Sequence, residues 1–345
     1  MRYCGGWWGL LLAPMAAAFI APAVWPLMSV DATGTSTGVV LGQIAPPLLP
    51  PVPGVTPPAG GPPPVIGEKV ATVAPTFDEE PVYIDDEELS RQFERKASVL
   101  AKAGKCLTTR DVGQQLERRS CKLNLPVPRT EVLTPEGVYQ LAAKSTLLIG
   151  SLQQTKTQPP RFHYVSNATA WVMTADGVIV TNYHVFEDGD SESYAVMTLE
   201  GDVFPVTEII AADRRSDVAI ARIDAKGLTP IPLAKSAPVG AWVGALTHPG
   251  SAHFMFTQGS VTRYLQLSSS KNERPEKWMA ISADYAVGSS GGPILDRYGN
   301  LAGMASMTEP VDFGDGSNGD SVSTLQMVIK LTVPVAEIRR LIKTP

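Results

Sequence analysis

Val287-Gly288-Ser289-Ser290-Gly291-Gly292-Pro293-Ile294 sets a serine in a tight glycine-rich turn near the C-terminus. A serine hydroxyl is a weak nucleophile at its own pKa and needs an adjacent base and a place to put negative charge. Gly288 lets the N–H groups of the turn converge on one point, as an oxyanion hole requires. Gly291 and Gly292 are expected to clear side chains from the path of a substrate carbonyl. Taken alone, the stretch reads equally well as a plain tight turn.

A serine nucleophile predicts a histidine and an acid elsewhere. The chain has four histidines, His163, His184, His248 and His253. His184 follows the apolar β-branched run Val178-Ile179-Val180-Thr181-Asn182-Tyr183, so it stands at a strand end, with a hairpin turn at Ala175-Asp176-Gly177 upstream. The acid is Asp217, which opens the alternating strand Val218-Ala219-Ile220-Ala221. Asp213 competes for that role, but before Arg214-Arg215 it reads as a solvated turn residue. His163, His248 and His253 read as satisfied loop or strand residues, with the latter two also placed to line a cleft. No pair of histidines has ligand spacing with a third donor, so neither a metal nor another cofactor is expected.

The order His184, Asp217, Ser290, with separations of 33 and 73 residues, is that of chymotrypsin. Thr181-Asn182-Tyr183-His184-Val185, Ser216-Asp217-Val218-Ala219-Ile220 and Gly288-Ser289-Ser290-Gly291-Gly292-Pro293 resemble the three catalytic blocks of trypsin-like serine peptidases, most closely the bacterial HtrA/DegP-type branch. Gly259-Ser260-Val261 and Leu301-Ala302-Gly303-Met304 resemble family strands before and after the nucleophile. The resemblance covers roughly residues 135–345. It implies an all-β fold of two antiparallel six-stranded barrels with the site in the cleft between them. It also implies roles: Ser290 as nucleophile, His184 as base, Asp217 as the acid that orients it, and the N–H groups of Gly288 and Ser290 as the oxyanion hole. HtrA-type chains usually carry a C-terminal PDZ domain; none follows here, so regulation through one is not expected.

Two positions depart from the family pattern. Ser289 stands where relatives usually have Asp or Asn, so activation by pairing with a new N-terminus is not expected. Asp284, six residues before Ser290, occupies the offset of the acid that makes trypsin select Lys or Arg. As a buried, unpaired carboxylate it would favour a basic substrate side chain. The alternatives are a loop-bonded Asp284, or a pocket shaped for small apolar residues as in HtrA-type enzymes.

The net charge of −5 argues against a nucleic-acid surface. Residues 3–30 are uncharged and rich in Leu, Ala and Trp, with Arg2 before them. They read as a signal peptide or as an uncleaved membrane tether, and Pro14, Pro22 and Pro26 tilt the reading towards cleavage. Either way the catalytic part is exported: periplasmic, envelope-bound or secreted. In residues 31–75 proline is dense enough for an extended disordered linker.

Residues 76–134 read as a small helical unit. Leu89, Phe93, Ala97 and Leu100 form one apolar stripe after an acidic start, and a second helix is expected over 109–119 with Val112 and Leu116 inward. In an exported chain Cys106 and Cys121 are expected to form a disulfide; two free buried thiols would fit a chain that is not exported. Thr134-Pro135-Glu136 opens a helix before the first barrel strand at 146–150. The Gly-rich run 312–320 lacks the acid pattern of a calcium loop. Three functions stay open: a serine endopeptidase acting on polypeptides, a catalytically silent binding module of the same fold, and an envelope interaction protein.

Overall fold

The computed structural model describes residues 83–158, 161–187, 192–268, 274–313 and 324–343. The N-terminal apolar segment, the proline-rich linker and most of the Gly-rich run after Phe313 lie outside the described residues. The chain divides into Met1–Ile66 and Gly67–Pro345, and all that follows belongs to the second unit.

Helix α1 (Asp86–Lys102) starts where the Asp85 carboxylate accepts from Glu88 N at 2.9 Å, with Asp86, Glu87 and Glu88 in the first turn. Negative charge there suits the helix dipole. Its predicted stripe is real: Phe93 and Ala97 are buried against Leu148, Leu152, Ala195 and Met197. Helix α2 (Thr109–Gln115) is capped by Thr108 and is a turn shorter than the sequence suggested. Val112 and Leu116 face inward, into one cluster with Leu147, Ile149 and Ala219. Both helices therefore bury their stripes on the first barrel instead of on each other.

The expected Cys106–Cys121 disulfide is not formed; both cysteines are free. Cys106 precedes Leu107, whose N–H bonds Val206 O at 2.7 Å on the first barrel. Cys121 lies in β1 (Cys121–Lys122), which pairs in parallel with β14 (Ile342–Lys343) at the other end of the chain. The thiols are thus held by different partners. Burial raises both thiol pKa values to about 11, so little thiolate is present at neutral pH and free thiols are compatible with export. Alkylation without prior reduction, followed by peptide mapping, should label Cys106 and Cys121 fully in denaturant and slowly in the native protein.

Helix α3 (Pro135–Ala143) has the predicted Thr134 cap, whose Oγ1 accepts from Gly137 N at 3.2 Å. The first barrel follows: β2 (Thr146–Gln154), β3 (Phe162–Thr174), β4 (Val178–Thr181), β5 (Ser193–Met197), β6 (Val203–Asp213) and β7 (Val218–Ile223). Its strands close in the order β2-β3-β4-β7-β6-β5, and every pairing is antiparallel. The second barrel comprises β8 (Trp242–Thr247), β9 (Met255–Leu267), β10 (Glu276–Ile281), β11 (Pro293–Leu295), β12 (Leu301–Phe313) and β13 (Thr324–Pro334), closed as β10-β13-β12-β11-β8-β9. Helix α4 (Val335–Arg340) ends it. This is the chymotrypsin-like fold that the resemblance implied.

One apolar cluster runs from barrel to barrel, with Trp171, Met173 and Val180 from the first and Leu246, Trp278, Leu301 and Val333 from the second. At about 25 cal/mol per Å² of buried apolar surface, this shared core fixes the barrels against each other. The seam between them is consequently a rigid place to assemble side chains from both. No helix among the described residues is long and apolar enough to cross a membrane.

Candidate active site

The apolar strand β4 is buried throughout and delivers the chain to a short 3-10 turn, Tyr183–Phe186, that carries His184. On the neighbouring strand β7, Asp217 precedes the first residue. It is one of two described non-glycine residues with positive φ, at φ 54° and ψ 49°. Asp is among the residues that tolerate this left-handed region through local hydrogen bonds.

Asp217 and His184 meet closely. Asp217 Oδ1 accepts from the backbone N of His184 at 3.1 Å, and both carboxylate oxygens lie 3.0 Å from His184 Nδ1. Asp217 Oδ2 also accepts from Ser306 Oγ at 2.5 Å, while its carbonyl accepts from Asn182 Nδ2 at 2.9 Å. Burial pulls the His184 pKa down, but the hydrogen bond and charge of Asp217, helped by Glu187, outweigh it and leave the imidazole above the ordinary histidine value.

Ser290 stands across the seam, on the turn between β10 and β11. Its hydroxyl donates to Ser306 O at 3.3 Å, and among the described residues it makes no hydrogen bond to His184. His184 and Ser290 nevertheless line one cleft, with Val287, Gly288, Asn167 and Tyr194. Among the described residues, the N–H groups of Gly288 and Ser290 have no carbonyl acceptor, unlike those of Ser289, Gly291 and Gly292. Gly288 has φ +93°, and a Cβ there would lie 2.4 Å from His248 O, so only glycine fits.

Gly291 and Gly292 serve a different purpose from the one expected. A Cβ on Gly291 would fall 2.0 Å from Thr169 O, and one on Gly292 would fall 2.4 Å from Thr247 Cγ2. They let the turn pack against β3 and β8. Ser289 is fully buried, and its hydroxyl donates to Thr247 Oγ1 at 3.0 Å, so it closes the turn internally.

The other sequence candidates fall outside this constellation. Asp284 is a correction: its side chain is 86 % exposed and its Oδ1 lies 3.4 Å from Lys330 Nζ. The buried, unpaired carboxylate on which a basic pocket was argued is absent, because the chain turns Asp284 outward while Tyr285 goes in. Asp213 is a second correction. Only 18 % of its side chain is exposed and it pairs with Arg274 and Arg340, so it is not a solvated turn residue, and the carboxylate hydrogen-bonded to the His184 ring is that of Asp217. His248 is buried against the Gly288 turn, where its Nδ1 accepts from Phe254 N at 2.9 Å. Burial and the neighbouring His253 push its pKa down to about 3. His253 Nε2 pairs with Ser90 Oγ of α1 at 3.0 Å, and His163 sits in β3 opposite Gln153. Sequence reasoning overlooked Ser306 and Asn182. An Asn directly after the β-branched run Val178-Ile179-Val180-Thr181 was a readable signal; Ser306 had none.

Residues 168–304 match the family described as the trypsin-like peptidase domain. A probable periplasmic serine endoprotease DegP-like of Ectopseudomonas mendocina is 32% identical over 146 residues, which is 41% of this chain and 29% of that protein. The mitochondrial serine protease HTRA2 of Drosophila pseudoobscura pseudoobscura is also 32% identical over 146 residues, covering 41% of this chain and 34% of its own. A crystal structure of the serine endoprotease from Yersinia pestis aligns at 19% identity with a TM-score of 0.44, covering 63% of this chain and 66% of that one. The chain spans about a third of the length of the curated relatives it matches. Residues 168–304 are therefore similar to the trypsin-like peptidase domain, within a chymotrypsin-like fold. Over 143 to 146 residues the chain is similar to DegP-like and HTRA2 serine proteases.

Proposed function

We propose that this chain is an exported serine endopeptidase that hydrolyses polypeptides through Ser290, His184 and Asp217. The observation that carries the reading is the double grip of Asp217 on His184, through its ring Nδ1 and its backbone N–H. Held so, the neutral ring keeps its proton on Nδ1 and offers Nε2 as a base. Ser290 Oγ turns from Ser306 O towards Nε2, gives up its proton and attacks the scissile carbonyl. The tetrahedral oxyanion forms against the free N–H groups of Gly288 and Ser290, each worth about 3–4 kcal/mol of transition-state stabilisation in comparable sites. His184 then protonates the leaving amine, and water hydrolyses the acyl-enzyme by the same route.

Export is supported by the uncharged N-terminal stretch and by relatives whose names place them in the periplasm. With Asp284 exposed, the preference at the scissile bond is not assigned to basic residues. One observation favours a second reading, a catalytically silent module of the same fold: the Ser290 hydroxyl bonds Ser306 O instead of His184. Catalytic hydrogen bonds are often made only once substrate is bound, so this weighs less than the His184–Asp217 geometry.

The pH profile tests the reading. His184 must be neutral to act, and its pKa is raised, so activity is lost on protonation at a higher pH than for a free imidazole. The acid limb of kcat/KM on a chromogenic peptide should have its midpoint above the roughly 6.5 of an unperturbed histidine. A midpoint well below that value, near the carboxylate range, would remove His184 as the base.

A further inference from the structure

The turn from Asp213 to Asp217 is held by a cluster of charged side chains that the triad does not use. Ser216, next to Asp217 and only 5 % exposed, is its hub. Its hydroxyl lies 3.0 Å from each of Asp213 Oδ2, Glu337 Oε2, Arg274 Nη2 and Arg340 Nη2. Arg274 donates to Glu337 Oε2 and to Asp213 Oδ2, each at 2.6 Å. Arg340 donates to the same Asp213 oxygen, and through Nε to Glu337 Oε2 at 3.2 Å. Lys277 Nζ stands 3.9 Å from Glu337 Oε1.

These groups come from both barrels. Asp213 and Ser216 end β6 and form the turn before β7. Arg274 leads into β10, and Glu337 and Arg340 belong to α4 after β13. Ser216 and Glu337 are buried, at 5 % and 4 % exposure, while the Arg274 and Arg340 side chains keep 33 % and 43 % of their surface, so the cluster has a buried floor and a half-exposed rim. Burying Glu337 and most of Asp213 costs much of what their attraction to the two half-exposed guanidinium groups returns, and apolar packing would hold the barrels as well. What charges in fixed geometry add is a single registry. Registry matters here because His184 and Asp217 sit on the first barrel and Ser290 on the second. Asp213 Oδ1 accepts from Arg215 N at 3.1 Å and Asp217 N donates to Arg214 O at 3.2 Å, so a shift of Asp213 or Ser216 is passed to Asp217 within one turn.

We propose that Ser216, with Asp213, Arg274, Glu337 and Arg340, is a cross-barrel positioning device that fixes the turn of Asp217 and thereby the approach of His184 to Ser290. None of these side chains touches substrate; they act through Asp217. The proposal rests on the peptidase reading above.

The test uses the full chain and a chromogenic peptide. Ser216→Ala removes one hydroxyl and the hub. Glu337→Gln keeps an acceptor oxygen for Arg274 but drops the charge. Arg118→Ala, which breaks the surface pair with Glu208 at 2.6 Å, is the control. Ser216→Ala should lower kcat about ten- to a hundredfold, with KM within about twofold of wild type, since misplacement by about an ångström costs on that order. Its acid limb should move to lower pH as Asp217 loses its hold on His184. Glu337→Gln should lie between it and wild type, and Arg118→Ala should match wild type in both readouts. If Ser216→Ala and Glu337→Gln lower only the melting temperature, leaving kcat and the acid limb unchanged, the cluster is merely structural and the proposal is overturned. If the wild-type chain hydrolyses nothing, the peptidase reading fails first and takes the proposal with it.

Discussion

Ser290→Ala should abolish casein hydrolysis, lowering kcat by about 10⁴- to 10⁶-fold, while the far-UV spectrum and the thermal transition stay close to wild type. The loss is large because Ser290 Oγ is the only atom in the turn that can form the acyl bond. Ser289 cannot replace it, since it is fully buried and donates to Thr247 Oγ1. The fold survives because the backbone shapes the turn. Thr169 N still donates to Ser290 O at 2.8 Å, and Gly291 N to Ala305 O at 2.9 Å. Only the 3.3 Å bond from Ser290 Oγ to Ser306 O is lost, worth about 1 kcal/mol or less. A purified variant that still cleaved casein would mean that another residue does the chemistry.

Asp217→Asn is expected to lower kcat by about 10⁴-fold with little change in stability. Asparagine is among the few residues that adopt φ near +54° readily, so the turn keeps its shape. The backbone carbonyl of residue 217 still accepts from Asn182. The chemistry changes instead. Asp217 presents acceptors to His184 N, His184 Nδ1 and the Ser306 hydroxyl. An amide presents one oxygen and one NH₂. If the NH₂ faces Nδ1, the ring must carry its proton on Nε2 and cannot take one from Ser290. Steady-state kinetics beside a melting curve distinguish this from unfolding. A loss smaller than tenfold would show that Asp217 does not set the tautomer.

The three residues that meet at the cleft were legible as candidates because each lies in a short run whose local pattern is complete: an apolar strand before His184, a strand start at Asp217, glycines around Ser290. The left-handed backbone of Asp217 was not, since nothing local distinguishes it from Asp213, four residues earlier. What separates them is that Asp213 meets Arg274 and Arg340, 61 and 127 residues away. Asp284 failed for a related reason: an offset from Ser290 fixes the position but not the direction of a side chain, and Tyr285 takes the inward place, with its hydroxyl on Leu331 O at 2.7 Å. The cysteines failed because they were judged by the compartment, whereas Val206, which accepts from Leu107 N beside Cys106, and Leu341, which accepts from Cys121 N, keep them on separate elements. The helical stripes at Phe93 and Val112 were readable as stripes, but the sequence could not say that the barrel, and not a second helix, would cover them.

The central claim is that His184 and Asp217 make Ser290 a nucleophile. Labelling of the full chain with a fluorophosphonate at pH 8, followed by peptide mapping, tests it most directly because the probe reacts only with an activated serine. The account predicts a single adduct on Ser290, formed far more slowly in Asp217→Asn and absent in Ser290→Ala. No adduct on the folded wild-type chain, or an adduct on another serine, would contradict it.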